Sequence, residues 1–155
     1  MSQTTYNLEA ARAFAGMLAE FDATTKSSIS RANEESSAVA FGKPVVAGTD
    51  AEKQFLLPSG SGDVFQGITV HRHGTEDASD DGIASGEVGE ILRRGKIWVI
   101  AATAVAVGDD VYWRHTTVPG TWRNDATDSV KVNGASWATA TAAVDQLALI
   151  DLNLP

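Results

Sequence analysis

The side chains with the widest chemical scope lie between residues 64 and 90. His71-Arg72-His73 places two imidazoles at i and i+2, and on a strand these point to the same side. Two imidazoles on one face are half of a zinc site, and the other ligands would come from the acidic stretch that follows or from His115. An HxH pair is a short pattern, met equally by two solvated histidines beside a charged loop. That loop, residues 74–90, holds Glu76, Asp77, Asp80, Asp81, Glu87 and Glu90 and no basic residue. Asp77-Ala78-Ser79-Asp80-Asp81-Gly82 begins like a calcium loop, with oxygen-bearing side chains at alternate positions and then glycine. The closing position, where a bidentate glutamate is required, is Val88, and Glu87 and Glu90 miss the register. A hydrated acidic loop accounts for the pattern without an ion.

Other chemistries find less support. Ser, His and Asp are all present, but no GxSxG elbow occurs, and Gly60-Ser61-Gly62 lacks its spacing. Glycoside cleavage needs one carboxyl of raised pKa in an apolar pocket, whereas the carboxylates here cluster in loops. There is no P-loop and no GxGxxG. Trp98, Trp113, Trp122 and Trp137 can form a sugar platform, yet their strand contexts favour packing for most of them, with Trp122 expected at the surface. Arg93-Arg94-Gly95-Lys96 is the one basic cluster, expected to pair with Glu87 and Glu90 as a charged rim. The chain is therefore read as a non-enzyme with no catalytic set, no metal site and no cofactor.

Composition narrows the partners. The 155 residues carry a formal charge of −8 and no cysteine. A net negative chain repels phosphate backbones and anionic lipid, so neither nucleic acid nor membrane is an expected partner. The near-apolar run from Ile97 to Val107 is well short of the ~20 residues that cross a bilayer. Without a basic-then-apolar leader the chain is expected to be soluble and made inside a cell.

The elements that hold these residues are strands. Residues 36–155 alternate short β-prone runs with Gly, Pro and Asn turn signals, which predicts an all-β domain, a small β-barrel or jelly-roll-like body. Val118-Pro119-Gly120-Thr121 predicts a type II turn closing a hairpin between 111–117 and 121–123. Asn133-Gly134 predicts a second tight turn between 130–132 and 136–139. Residues 91–102 read as a strand interrupted at Gly95, and 38–47 as one broken by Gly42 and Pro44. In 146–154 the apolar residues fall on both parities, so either both faces are covered or a bulge near Leu149 shifts the phase. Residues 1–35 differ, being rich in Ala, Thr, Ser and Glu. They are read as an N-terminal arm, helical or extended. If it is helical, Leu8, Phe14, Met17, Leu18 and Phe21 form one stripe with Asn7 as N-cap.

Several stretches in sequence order resemble the structural cement, or capsid decoration, proteins of tailed bacteriophages. They are Ala13-Phe14-Ala15-Gly16-Met17-Leu18-Ala19, Asn33-Glu34-Glu35-Ser36, Ala40-Phe41-Gly42-Lys43-Pro44-Val45-Val46 and Phe65-Gln66-Gly67-Ile68-Thr69-Val70. They continue with Leu92-Arg93-Arg94-Gly95-Lys96-Ile97-Trp98-Val99, Trp122-Arg123-Asn124-Asp125 and Leu149-Ile150-Asp151-Leu152-Asn153-Leu154. The resemblance implies a small β-barrel on the outside of an icosahedral head, assembled as trimers or sometimes dimers where major capsid protein subunits meet. It implies a virion protein made in the bacterial host cytoplasm, with no catalytic residues to carry over. In that frame the arm is the bridge, and Tyr6, Phe14, Met17, Leu18 and Phe21 are the expected contacts to the capsid or to a neighbouring copy. The alternative of another class is a carbohydrate- or cell-surface-binding β module built on Trp122 and the Pro119-Gly120 hairpin.

Overall fold

The computed structural model describes residues 13–19, 26–71 and 82–155. The described residues form strands and no helix. In chain order these are β1 Ser27–Asn33, β2 Val39–Ala40, β3 Pro44–Ala47, β4 Gln54–Leu56, β5 Phe65–Thr69 and β6 Gly82–Ile83. They continue with β7 Val88–Ala101, β8 Asp110–Arg114, β9 Trp122–Arg123, β10 Ser129–Trp137 and β11 Gln146–Asn153. One sheet runs β1-β4-β3-β5-β7-β11-β10-β8-β9, and the further pairings β1–β7 and β7–β9 close it. β2 and β6 form a separate ribbon. The protein is thus the expected all-β small barrel, with extra strands.

β7 organises everything. Its first half pairs with β1 from Val88 to Arg94 and with β5 at Ile91 and Leu92. Its second half pairs with β11 without a break from Arg94 to Ala101, and Ala101 also meets Trp122 of β9. Two rings of strands therefore share β7, and each encloses its own apolar cluster. Ile91 points to Val45, Phe55 and Ile83. Its neighbour Leu92 points the other way, to a larger cluster with Val111, Trp113, Trp137 and Ile150, as strand alternation requires. Beyond Leu92 the phase changes, because Ile97, Val99 and Ala101 join the Leu92 side. The cause is a bulge: Ser28 pairs Leu92 while Ser27 pairs Arg94, leaving Arg93 as the extra residue. Fully burying each Ile or Leu here contributes about 1.5–3 kcal/mol relative to exposure.

The first predicted hairpin forms as expected. Tyr112 pairs Arg123 and Trp113 pairs Trp122. Gly120 supplies the positive φ, 75°, that the turn needs. The second does not form. Asn133 and Gly134 lie inside β10, whose register against β8 shifts between Lys131 and Ser136. The dipeptide makes a bulge, because β8 and β11 pair with β10 on either side of it and a long ladder outweighs a local turn preference. Pro44 opens β3, where a missing N–H is tolerated. Ser27–Asn33, read as part of the arm, is β1, held between β7 and β4.

Buried polar groups tie the smaller ring together. Asn33 is 2% exposed. Its amide donates to the Ser37 and Ile83 carbonyls at 2.9 and 2.8 Å and its oxygen accepts from the Glu35 N–H at 2.8 Å. It links β1, the following turn and β6. Asn33→Ala is expected to lower stability by about 2 kcal/mol, since a buried carbonyl loses its partner; the urea midpoint measures it. Thr69 does similar work, donating to Ala40 O and accepting from Lys43 N–H, both at 2.9 Å.

Candidate interface site

Residues 13–19 precede the sheet and lie along the edge of β7 opposite β11. Leu18 forms an antiparallel bridge with Ile97, which pairs Ile150 on its other side. Gly16 N–H donates to Trp98 O at 2.7 Å, Trp98 N–H to Met17 O at 2.9 Å, and Ala19 N–H to Lys96 O at 3.0 Å. His71 N–H donates to Gly16 O at 2.9 Å. The segment is thus an added strand fragment reaching from β7 to the residues after β5.

Its position depends on a close backbone approach. A Cβ on Gly16 would stand 2.7 Å from Phe41 Cβ, 2.9 Å from His71 N and 3.0 Å from Gly42 N, and Gly16 has φ 83°. Only glycine fits such a contact. Next to it, the His71 ring lies between two phenylalanines, with centroid distances of 4.4 Å to Phe14 and 4.8 Å to Phe41.

The expected contact residues are distributed as follows. Phe14 is 41% exposed and carries an apolar edge outward. Met17 is half-buried, and Leu18 turns onto the larger core. Tyr6 and Phe21 lie outside the described residues, as do Leu8 and Asn7 of the expected helical stripe. Residues 13–19 themselves are extended with one turn. The bridging of this segment to β7 had no sequence signal beyond Gly16, a poor helix former within the expected stripe.

The other readings resolve from geometry. His71 is placed by the two phenylalanines, while His73 and the first part of the calcium-like loop lie outside the described residues. Among the described residues no three His, Asp or Glu side chains are grouped to hold a metal ion. Trp122, expected at the surface, is 1% exposed, and Trp113 and Trp137 are equally buried. The β8–β9 pairing sets Trp122 opposite Trp113, both pointing into the barrel. The Trp122 indole N–H donates to Gly42 O at 2.7 Å and its ring meets Phe65 edge-on at 6.2 Å. A sugar platform on Trp122 is therefore excluded. The basic cluster also differs from expectation: Arg93 and Arg94 donate to the Pro155 and Leu154 carbonyls at 3.0 Å, and Glu90 pairs with Lys26 at 2.6 Å. The bulge at Arg93 turns these side chains toward the chain end.

A cavity of about 870 Å³ opens between β7, β10 and β11. Lys26, Arg94, Lys96 and Lys131 line it together with Asp110 and Asp151, and Lys131 binds Asp110 at 2.8 Å. It is a charged surface groove and lacks the apolar lining with convergent polar groups typical of a small-molecule site.

Surface carboxylates are anchored by hydrogen bonds. The Thr49 hydroxyl and N–H hold Glu34 below its ordinary pKa, and the Asn124 amide and Ala106 N–H do the same for Asp109. A depressed folded pKa adds stability above the unfolded pKa, and this is lost as pH falls through the folded one. Thermal midpoints are expected to hold from neutral pH down to the usual carboxylate range and to drop below it. Thr49→Val should blunt that drop.

Trp113, Trp122 and Trp137 lie inside, several charged groups pair at the surface and a leading segment is laid on an outer edge. These features define a small all-β module. The chain belongs to the structural cement protein family (E217 gp24/Pam3 gp6), whose profile matches residues 2–153. A solved chain from "The capsid of Myoviridae Phage XM1" has the same fold, with a TM-score of 0.72 and 18% identity. The match covers 98% of this chain and 97% of that one. No curated protein matches the chain.

Proposed function

We propose that this protein is a non-enzymatic cement for phage heads, binding the major capsid protein shell from outside and stabilising it. The observation that carries the reading is the family match over residues 2–153, which takes in the leading segment as well as the barrel. The XM1 capsid chain, similar along almost its full length, supports the same setting. The protein is a virion component on the capsid exterior, made in the bacterial host cytoplasm, and self-associates as a homotrimer or dimer. Its net −8 charge suits the outside of a shell better than a surface facing packed DNA.

The N-terminal stretch is the bridge, with Tyr6, Phe14, Met17, Leu18 and Phe21 as the contact set. Phe14 supports this by its exposure; Leu18 acts by holding the segment to β7. Several copies joined together dock several such segments, so weak single contacts add up to tight binding through effective concentration.

The test is add-back of purified protein to heads lacking it, followed by sedimentation. Wild-type protein is expected to travel with the heads. A variant without residues 2–19, which stops short of β1, should stay folded and bind at least tenfold less tightly. Failure of the wild type to bind sinks the function; equal binding by the truncation sinks only the role of the stretch.

A further inference from the structure

Charge is spread unevenly over this acidic chain. The groove between β7, β10 and β11 is lined by Lys26, Arg94, Lys96 and Lys131, four of the 12 Lys and Arg. Only Asp110 and Asp151 line it among the 20 Asp and Glu. With Glu90 counted as well, since it pairs with Lys26, the groove keeps a positive balance on a molecule of charge −8.

The floor of the groove is the end of the β7–β11 ladder, where Arg94 pairs Asn153, Gly95 pairs Leu152 and Lys96 pairs Asp151. One wall is Lys26 and Ser27, at the start of β1. The other is the β10 bulge, where residues 132–135 stand against the single β8 residue Val111. Gly95 and Gly134 put no side chain into the space between. Gly134 has φ 90°, and a Cβ there would run into Asn153 O, so only glycine fits. The strands follow one another as β1, β7, β11 and β10. Neighbouring strands lie about 4.8 Å apart, so the groove spans roughly 14 Å across them, the reach of about four extended residues. Arg94 is exposed, and among the described residues it donates only through Nε, to Leu154 O. Its terminal nitrogens suit the two oxygens of a carboxylate.

We infer that this groove binds a short, extended, acidic segment of another protein. Charge and size select the occupant. An apolar segment would cover four cations without pairing them, at a desolvation cost. A long polyanion such as nucleic acid would bring further charges against the acidic surface outside the groove and be repelled. A short acidic segment engages the groove alone and gains register from its cations. Leu18 of the leading segment lines the same groove, so contact here is continuous with the stretch proposed as the bridge. The inference rests on the proposed function only for the source of the segment, which is then the shell subunit.

The test is fluorescence anisotropy of a labelled octaglutamate peptide titrated with the full chain, run beside add-back to heads. Wild-type protein is expected to bind the peptide saturably, and less tightly as salt rises. Lys96→Gln combined with Lys131→Gln removes two groove cations. It should weaken binding of both peptide and heads by about tenfold, the scale of two exposed ion pairs. Should it fail to melt cooperatively, Lys131→Gln alone, at an exposed site, serves with a loss of about threefold. Lys43→Gln combined with Lys53→Gln removes the same charge outside the groove and should change neither affinity. Absence of saturable peptide binding overturns the inference. So does a groove variant that binds the peptide like wild type, a control that weakens equally, or duplex DNA bound as tightly as the peptide. Wild-type protein that binds the peptide but not heads sinks the proposed function and leaves the preference of the groove standing.

Discussion

Replacing Trp122 by alanine is expected to lower the unfolding free energy by about 4 kcal/mol. The side chain is 1% exposed and belongs to the larger core. Its removal leaves a cavity beside Phe65 and Trp113, and it strips Gly42 O of the indole donor at 2.7 Å. Gly42 lies in the turn between β2 and β3, so the loss reaches the smaller ring too. Trp122→Phe keeps most of the volume and should cost about 1–2 kcal/mol less cavity-driven loss, exposing mainly the missing hydrogen bond. Urea unfolding of the two variants separates packing from the bond. A Trp122→Ala protein as stable as wild type would contradict the buried placement.

Gly16→Ala is expected to release residues 13–19 from β7 while leaving the barrel folded. The new Cβ runs into Phe41 Cβ, His71 N and Gly42 N, and alanine is strained at φ 83°. Backbone in that region costs of order 1–3 kcal/mol for a non-glycine residue. Applied to a local opening equilibrium, this is about five- to 150-fold. Trp98 N–H, which donates to Met17 O at 2.9 Å, reports the release by faster hydrogen exchange. Amides of the β7–β11 ladder should keep their protection. If Trp98 exchanges at the wild-type rate, the segment is not held by the glycine contact. If the variant still binds heads as tightly as wild type, docking on β7 does not prepare the stretch for its partner.

Much of this fold could be read from residue order alone. Alternation and turn signals marked most strands after residue 36, though β1 fell in the stretch read as an arm and β6 in the acidic loop, and Pro119-Gly120 located a hairpin correctly because both residues of a type II turn are locally determined. The failures share one cause. Asn133-Gly134 has the chemistry of a tight turn, but β8 and β11 claim β10 on either side and the dipeptide becomes a bulge. Trp122 follows a turn and looked exposed, yet its parity in β9 is set by pairing with Trp113, which local sequence does not specify. The phase change in β7 needed an extra residue opposite Ser27 and Ser28, a partner some 65 positions away.

The interface was less legible. The arm composition marked residues 1–35 as different, but did not separate the strand Ser27–Asn33 from the segment laid on β7. Phe14, Met17 and Leu18 were singled out for apolar spacing; their different exposures come from an extended backbone that a helical stripe does not describe. The apolar residues of both parities in 146–154 left two explanations open, and the unbroken β7–β11 register removes the bulge, leaving Leu147 and Leu149 half-buried on the outer face. Hydrophobicity on the outside of a barrel is a signal only when the register is known.

On the proposed function, this protein grips a phage shell from outside. Electron cryomicroscopy of heads assembled with and without it tests that most directly. Added density on the outer surface over the major capsid subunits, absent when the protein is withheld, is the predicted result. Heads that look the same with and without it, or density on the inner surface, would contradict the account.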